Sequence, residues 1–179
     1  MKPLVFSLRA RPDQRLDLSP LVPHLLVGKT AAEIAAIALG TTRHAATVGD
    51  LFRVKVGDPQ RLRIDGSCDR FDLVGHAMRD GELTADGDVG SRAGRLVSGG
   101  RLVVNGSAGP WAASGMTGGT VEITGAAGDR LGGPLPGEMA GMRGGVVIVR
   151  GDAGERIGDR MRRGTIVVEG RSESGQVET

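Results

Sequence analysis

Met116-Thr117-Gly118-Gly119-Thr120-Val121-Glu122-Ile123-Thr124-Gly125-Ala126-Ala127-Gly128 is the stretch on which the reading of this sequence turns. Val121 and Ile123 alternate with polar residues, which puts two aliphatic side chains on one face of a short strand. The same phrase, apolar-x-apolar-x-Gly, recurs at Leu62–Gly66, Leu83–Gly87, Leu102–Gly106, Val147–Gly151 and Ile166–Gly170. The closing glycines Gly66, Gly87, Gly106, Gly125, Gly151 and Gly170 lie 21, 19, 19, 26 and 19 residues apart, so the unit is 19 residues. Other positions keep phase with it. Gly90, Gly109, Gly128 and Gly154 follow three residues after a closing glycine, and Met78, Val97, Met116, Met142 and Met161 precede by three the glycine that opens the next strand.

A unit this short cannot bury its own apolar face, so it must stack on its neighbours about 4.8 Å apart and build columns of like residues. Glycines on both sides of each strand are read as supplying the positive φ of sharp corners, and methionine as an adaptable filler. The chain cannot be cut into six-residue units with its glycines in phase, which excludes the left-handed hexapeptide helix. The expected fold is all-β: a right-handed parallel β-helix, a solenoid of ~19-residue coils, over residues 59–170. The 26-residue unit carries seven extra residues near Gly132–Glu138, expected to leave the coil as a loop, so Pro134, Leu135 and Pro136 are candidate partner contacts.

Residues 1–58 break the pattern and are read as a small α/β cap over the first coil, whose open end would otherwise expose core and unpaired strand edge. Leu4–Leu8 and Leu51–Val56 read as strands. Thr30-Ala31-Ala32-Glu33 is a capping box, and the apolar run to Leu39 followed by Gly40 predicts a helix over about 31–39. Residues 171–179 are a polar tail without a comparable cap, so another protein chain is expected to cover that end.

Composition closes several routes. Glycine and proline, 31 and 8 of 179 residues, make about 22% where roughly 12% is average. With one Trp, three Phe and no Tyr, the interior is aliphatic. A net charge of +2 with so few aromatics gives no nucleic-acid surface. One Cys excludes an internal disulfide, and no run approaches a membrane span or a secretory signal, so the expectation is a cytoplasmic protein with neither membrane nor nucleic-acid partners.

Candidate chemistry is sparse. Gly28-Lys29-Thr30 has the ending of a phosphate-binding loop, but the first glycine position holds Pro23, and the cap of a helix explains Thr30. His24, His44, Cys68 and His76 lack metal-ligand spacing. Asp65, Asp86 and Glu169 share one outward position and read as a solvated face. No catalytic and no metal residue is assigned. Arg156, Arg160, Arg162 and Arg163 form the densest charge run, readable as a solvated corner or as a seat for an acidic surface or an anionic cofactor tail. The outward mid-strand position is polar in three coils but Val103, Ile148 and Val167 in the others, which suggests a face covered by a partner or by the chain's own loops.

The runs Gly75–Gly90, Gly115–Gly128 and Gly141–Gly154, together with Val48-Gly49-Asp50-Leu51-Phe52, resemble the C subunit of formylmethanofuran dehydrogenase and of its bacterial counterpart, the formyltransferase/hydrolase complex. The repeats alone also resemble the C-terminal domain of the glutamate synthase large subunit. Arginine-rich usage, with 20 Arg against 3 Lys, favours the bacterial branch. The resemblance implies a noncatalytic structural subunit that binds no cofactor itself. It implies a complex that uses methanofuran and tetrahydromethanopterin, moving a formyl group from the second to the first and releasing formate during formaldehyde oxidation. It further implies amidohydrolase-like A, B and formyltransferase D subunits as partners. A subunit of an archaeal-type dehydrogenase and a free-standing β-helical acyltransferase are the alternatives.

Overall fold

A computed structural model describes residues 2–40 and 43–172. The described residues are mostly β, with three helices of four or five residues among them. In order the chain runs β1 (Pro3–Leu8), β2 (Leu16–Asp17), α1 (Pro23–Leu26), α2 (Ala31–Ala35), α3 (Val48–Leu51), β3 (Phe52–Lys55), β4 (Asp58–Ser67) and β5 (Phe71–Asp72), then β6 (Glu82–Gly87), β7 (Arg101–Asn105), β8 (Thr120–Ile123), β9 (Arg143–Val149) and β10 (Arg163–Val168). One mixed sheet of eight strands takes the order β10-β9-β8-β7-β6-β4-β1-β3, and β2 pairs with β5. Every pairing in the large sheet is parallel except β1 with β3.

The register follows the repeat. Leu4, Leu62, Leu83, Leu102, Val121 and Val147 are successive partners, as are Phe6, Ile64, Ala85, Val104, Ile123 and Val149. Each of these twelve residues is at most 2% exposed. Both columns continue to Ile166 and Val168 in β10, which are only partly buried. Beyond the strands, successive units stay bonded through the corners, as in Ala113 N–H to Ala93 O at 2.7 Å and Gly132 N–H to Ala112 O at 2.7 Å. Parallel bridges also join Ala108, Ala127, Ala153 and Ser172. Side chains reinforce the stack: Asp88 accepts from the Ser107 amide at 2.9 Å, the Ser107 hydroxyl from the Ala126 amide at 3.0 Å, and Asp152 from the Arg171 amide at 2.8 Å.

The two sets of glycines serve different ends. The opening glycines adopt the left-handed region, Gly119 at φ +75°, as the corner requires. Most closing glycines do not. A Cβ on Gly125 would lie 2.7 Å from the Gly106 carbonyl oxygen, and one on Gly151 would lie 2.6 Å from that of Gly125. Close approach of neighbouring units, not backbone conformation, demands glycine at those positions.

The N-terminal segment is continuous with the stack, because β1 lies directly on β4. All three phenylalanines gather there, with Phe6–Phe52 and Phe52–Phe71 ring centroids 6.0 and 5.6 Å apart. The predicted capping box is present: Thr30 Oγ1 accepts the Glu33 amide at 3.2 Å, and Glu33 accepts the Thr30 amide at 3.4 Å. The helix is shorter than the 31–39 expected. Beyond Ala36 the Ile37 carbonyl accepts the Val48 amide, Ala38 bridges Thr47 and the Leu39 amide donates to Ala46, so the chain turns back and buries Leu39. A second box, with the Thr47 amide donating to Asp50 at 3.0 Å, opens α3.

Candidate partner-binding surface

The outward face of the large sheet carries the column Arg63, Thr84, Val103, Glu122, Ile148 and Val167 in direct register. Val103 and Ile148 are half-buried, and Val167 is 43% exposed. Ion pairs thread between them. Arg63 donates to Asp86, which also accepts Asn105 Nδ2 at 2.9 Å. Glu122 accepts Arg101 at 2.7 Å and Arg150 at 3.3 Å, and Arg150 donates also to Glu169. The hydrogen bond from Arg101 holds the Glu122 carboxyl below the usual carboxylate range against some burial, with Arg150 adding to it. The face is therefore an internally neutralised ladder with aliphatic patches among its charges.

The seven extra residues do not disturb the register, since Thr120, Val121 and Ile123 pair with Val146, Val147 and Val149. The loop they form folds onto the body. Pro134 is buried, Leu135 half-buried and Pro136 exposed, so only the last two offer themselves to a partner. Arg156, Arg160, Arg162 and Arg163 are all exposed or half-exposed at the surface, and the first two take left-handed backbone at φ 56° and 51°.

The remaining sequence candidates are dispersed. His24 lies in α1, and both it and His76 have a buried Nδ1 without a hydrogen-bond partner in the structure. Burial, with the positive charge of Arg95, lowers the His76 pKa. Cys68 is a half-buried free thiol and His44 is exposed. Among the described residues no group of three or more His, Cys, Asp and Glu is placed to hold a metal ion, and no helix is long and apolar enough to cross a membrane. Asp65 and Asp86 are direct partners across β4 and β6, whereas Glu169 lies at the far end of the sheet beside Arg150.

Sequence reasoning missed a cleft of about 640 Å³ between residues 9–17 and residues 39–40, 44–46 and 50–51. Its arginines are largely engaged. Arg11 pairs with Asp69 at 2.7 Å, and Arg15 grips Asp72 at 2.6 and 2.8 Å. The short β2–β5 pairing that forms this junction had no periodic signal.

The fold defines a mostly β protein in which a repeated strand builds one mixed eight-stranded sheet. No protein-family model matches the chain. The chain is similar in sequence to the C subunit of the formyltransferase/hydrolase complex Fhc of Methylorubrum extorquens, 43% identical over 88 residues, which is 48% of this chain and 33% of that protein. Its structure is similar to a chain in the crystal structure of the formyltransferase/hydrolase complex FhcABCD of Methylorubrum extorquens in complex with methylofuran. The TM-score is 0.90 and the identity 40%, over 93% of this chain and 63% of that one. The matched region thus spans one third of the length of the first of these relatives and under two thirds of the second.

Proposed function

We propose that this chain is a noncatalytic scaffold subunit of a formyltransferase/hydrolase complex. The assembly would transfer a formyl group from formyl-tetrahydromethanopterin to a methanofuran-type carrier and release formate, within the cytoplasm. The observation that carries this reading is the match at 0.90 TM-score and 40% identity along 93% of the chain. The partners are then the amidohydrolase-like A, the B and the formyltransferase D subunits. Methanofuran and tetrahydromethanopterin act on those subunits rather than here. The aliphatic patches at Val103, Ile148 and Val167 and the loop residues Leu135 and Pro136 are read as contacts with them, Pro134 being buried. Arg156, Arg160, Arg162 and Arg163 are read as a seat for an anionic group in the assembly.

Residues 59–170 are inferred to wind as a right-handed parallel β-helix capped by residues 1–58. Successive parallel strands joined at a 19-residue period support the winding, and the near-universal right-handedness of parallel crossovers supports its hand. Most of the tail at 171–179, and the expected cover over that end, lie outside the described residues.

The test is a tagged full-length chain recovered from its native cell. Val103→Asp with Ile148→Asp is expected to release the other subunits while the chain keeps its melting temperature. Retention of those subunits by the double variant would refute the interface. The purified chain alone is expected to turn over neither formyl nor other acyl donors; turnover would favour a free-standing acyltransferase.

A further inference from the structure

The loop at residues 132–140 is tethered on every side. Trp111 Nε1 donates to the Pro134 carbonyl at 3.2 Å. Arg95, with a side chain 13% exposed, forks onto Glu138 at 3.0 and 2.9 Å and also donates to the hydroxyl of fully buried Ser114 at 3.0 Å. Glu138 in turn accepts the Leu135 amide at 2.8 Å, and its carbonyl accepts Arg160 at 3.4 Å. The Arg95 hydrogen bond keeps the Glu138 carboxyl below its usual range, so this clasp stays charged at neutral pH. Met139 follows these anchors directly and precedes the Gly141 amide, which donates to the Arg160 carbonyl at 3.0 Å; it is 82% exposed, the most exposed of the large hydrophobic residues described.

A mobile loop could fold such a side chain against the body. This one holds it out. A pre-ordered loop avoids the entropic cost of fixing its conformation on association, and methionine adapts its shape to the pocket it enters. The neighbouring surface adds a sign. Arg163 lies directly opposite Arg143 in the β10–β9 register, with Arg162 beside it. Like charges facing each other across a ladder repel. Among the described residues none of the three forms an ion pair, since Glu138, the carboxylate whose field Arg143 shares, is held by Arg95. Guanidiniums without an ion pair, at the paired starts of β9 and β10, with β9 beginning four residues after an exposed apolar side chain, match a pocket with carboxylates on its rim.

We propose that Met139 is a docking knob that seats in an apolar pocket of a partner protein, with an acidic rim of that pocket meeting Arg143, Arg162 and Arg163. The inference shares with the functional reading only the premise that the chain works in an assembly; it does not depend on formyl chemistry. The experiment uses the full chain recovered from its native cell, with co-purifying proteins identified and their rebinding to immobilised chain measured. Met139→Asp is expected to weaken rebinding at least tenfold, and Met139→Leu less than threefold, because burying one such side chain is worth about 10- to 100-fold in affinity. Arg95→Met is expected to speed amide exchange at Leu135 at least tenfold and to weaken binding about tenfold. Arg143→Gln with Arg162→Gln and Arg163→Gln should flatten the salt dependence of association.

Rebinding by Met139→Asp within twofold of the parent overturns the inference, as does recovery of no partner at all. Loss of self-association on the same change would overturn it in favour of a second copy as the occupant. If the recovered partners handle no formyl groups but are lost with Met139→Asp, the functional reading falls and this one stands. If formyl-handling subunits remain bound to Met139→Asp, the reverse holds.

Discussion

Gly125→Ala tests the stacking of the repeat most directly. The added methyl would lie 2.6 Å from the Ser107 hydroxyl, 2.7 Å from the Gly106 carbonyl oxygen and 2.8 Å from its carbon, where ordinary contact begins at 3.4 Å. Two units must therefore part by about 0.7 Å in an interior that is close-packed. That movement stretches the 2.8 Å bond from the Gly125 amide to Gly106 and the 2.9 Å bond from Thr124 to Val104. Overpacking costs about 1–3 kcal/mol and each weakened hydrogen bond about 1 kcal/mol, so a loss of about 3 kcal/mol is expected. For a chain of this size that corresponds to a fall of about 6–12 °C in melting temperature. The comparison variant is Gly137→Ala. Its backbone sits at φ +88°, but nothing lies within 4 Å of the new methyl, so only the conformational cost of about 1 kcal/mol applies. Thermal unfolding followed by circular dichroism reads both. A Gly125→Ala protein melting within 2 °C of the parent, or a Gly137→Ala protein melting lower than the Gly125→Ala protein, would refute the claim that glycine is there for close approach.

Ile123→Ala, in a fully buried column, should cost about 2–5 kcal/mol, whereas Val168→Ala at the half-covered last strand should cost less than half as much; equal urea midpoints for the two would contradict the burial gradient. Burial works to raise the Asp72 carboxyl, but the hydrogen bonds from Arg15 and the Ser91 amide outweigh it and hold the group below its ordinary value. Its stabilising contribution is thus fully present above the unfolded-state value of about 4 and is lost as pH falls through the lower folded value. Urea midpoints measured from pH 6 to pH 2 should show a shallower acid decline for Asp72→Asn than for the parent, and identical slopes would exclude the effect.

Much of this architecture is legible from spacing alone, because a column of like residues needs the same residue at the same phase in every layer. Val104, Ile123, Val149 and Val168 stand in the order their period dictates. Thr30 and Glu33 announce their helix start because the capping contact is local. What the spacing hides is non-local. The end of that helix depends on Leu39 finding Ala46, and the seat of β1 on β4 joins segments more than fifty residues apart. The closing glycines show why residue type alone misleads: glycine reads as a bend, but the carbonyl of the preceding unit is what excludes a side chain. The candidate surface is less legible still. Val103, Ile148 and Val167 are visible from alternation, yet the loop carrying Pro134 and Glu138 is anchored by Trp111 and Arg95, which no periodicity connects to it.

The undisturbed pairing of β8 with β9 across the extra residues also makes loop length a tolerant variable. Chain added between the exposed Pro136 and Gly137 opens the Leu135–Glu138 turn but shifts no rung, and loop entropy grows only slowly with length. A small reporter inserted there would leave the stack unaltered while displacing whatever the loop contacts, which separates folding from assembly in living cells.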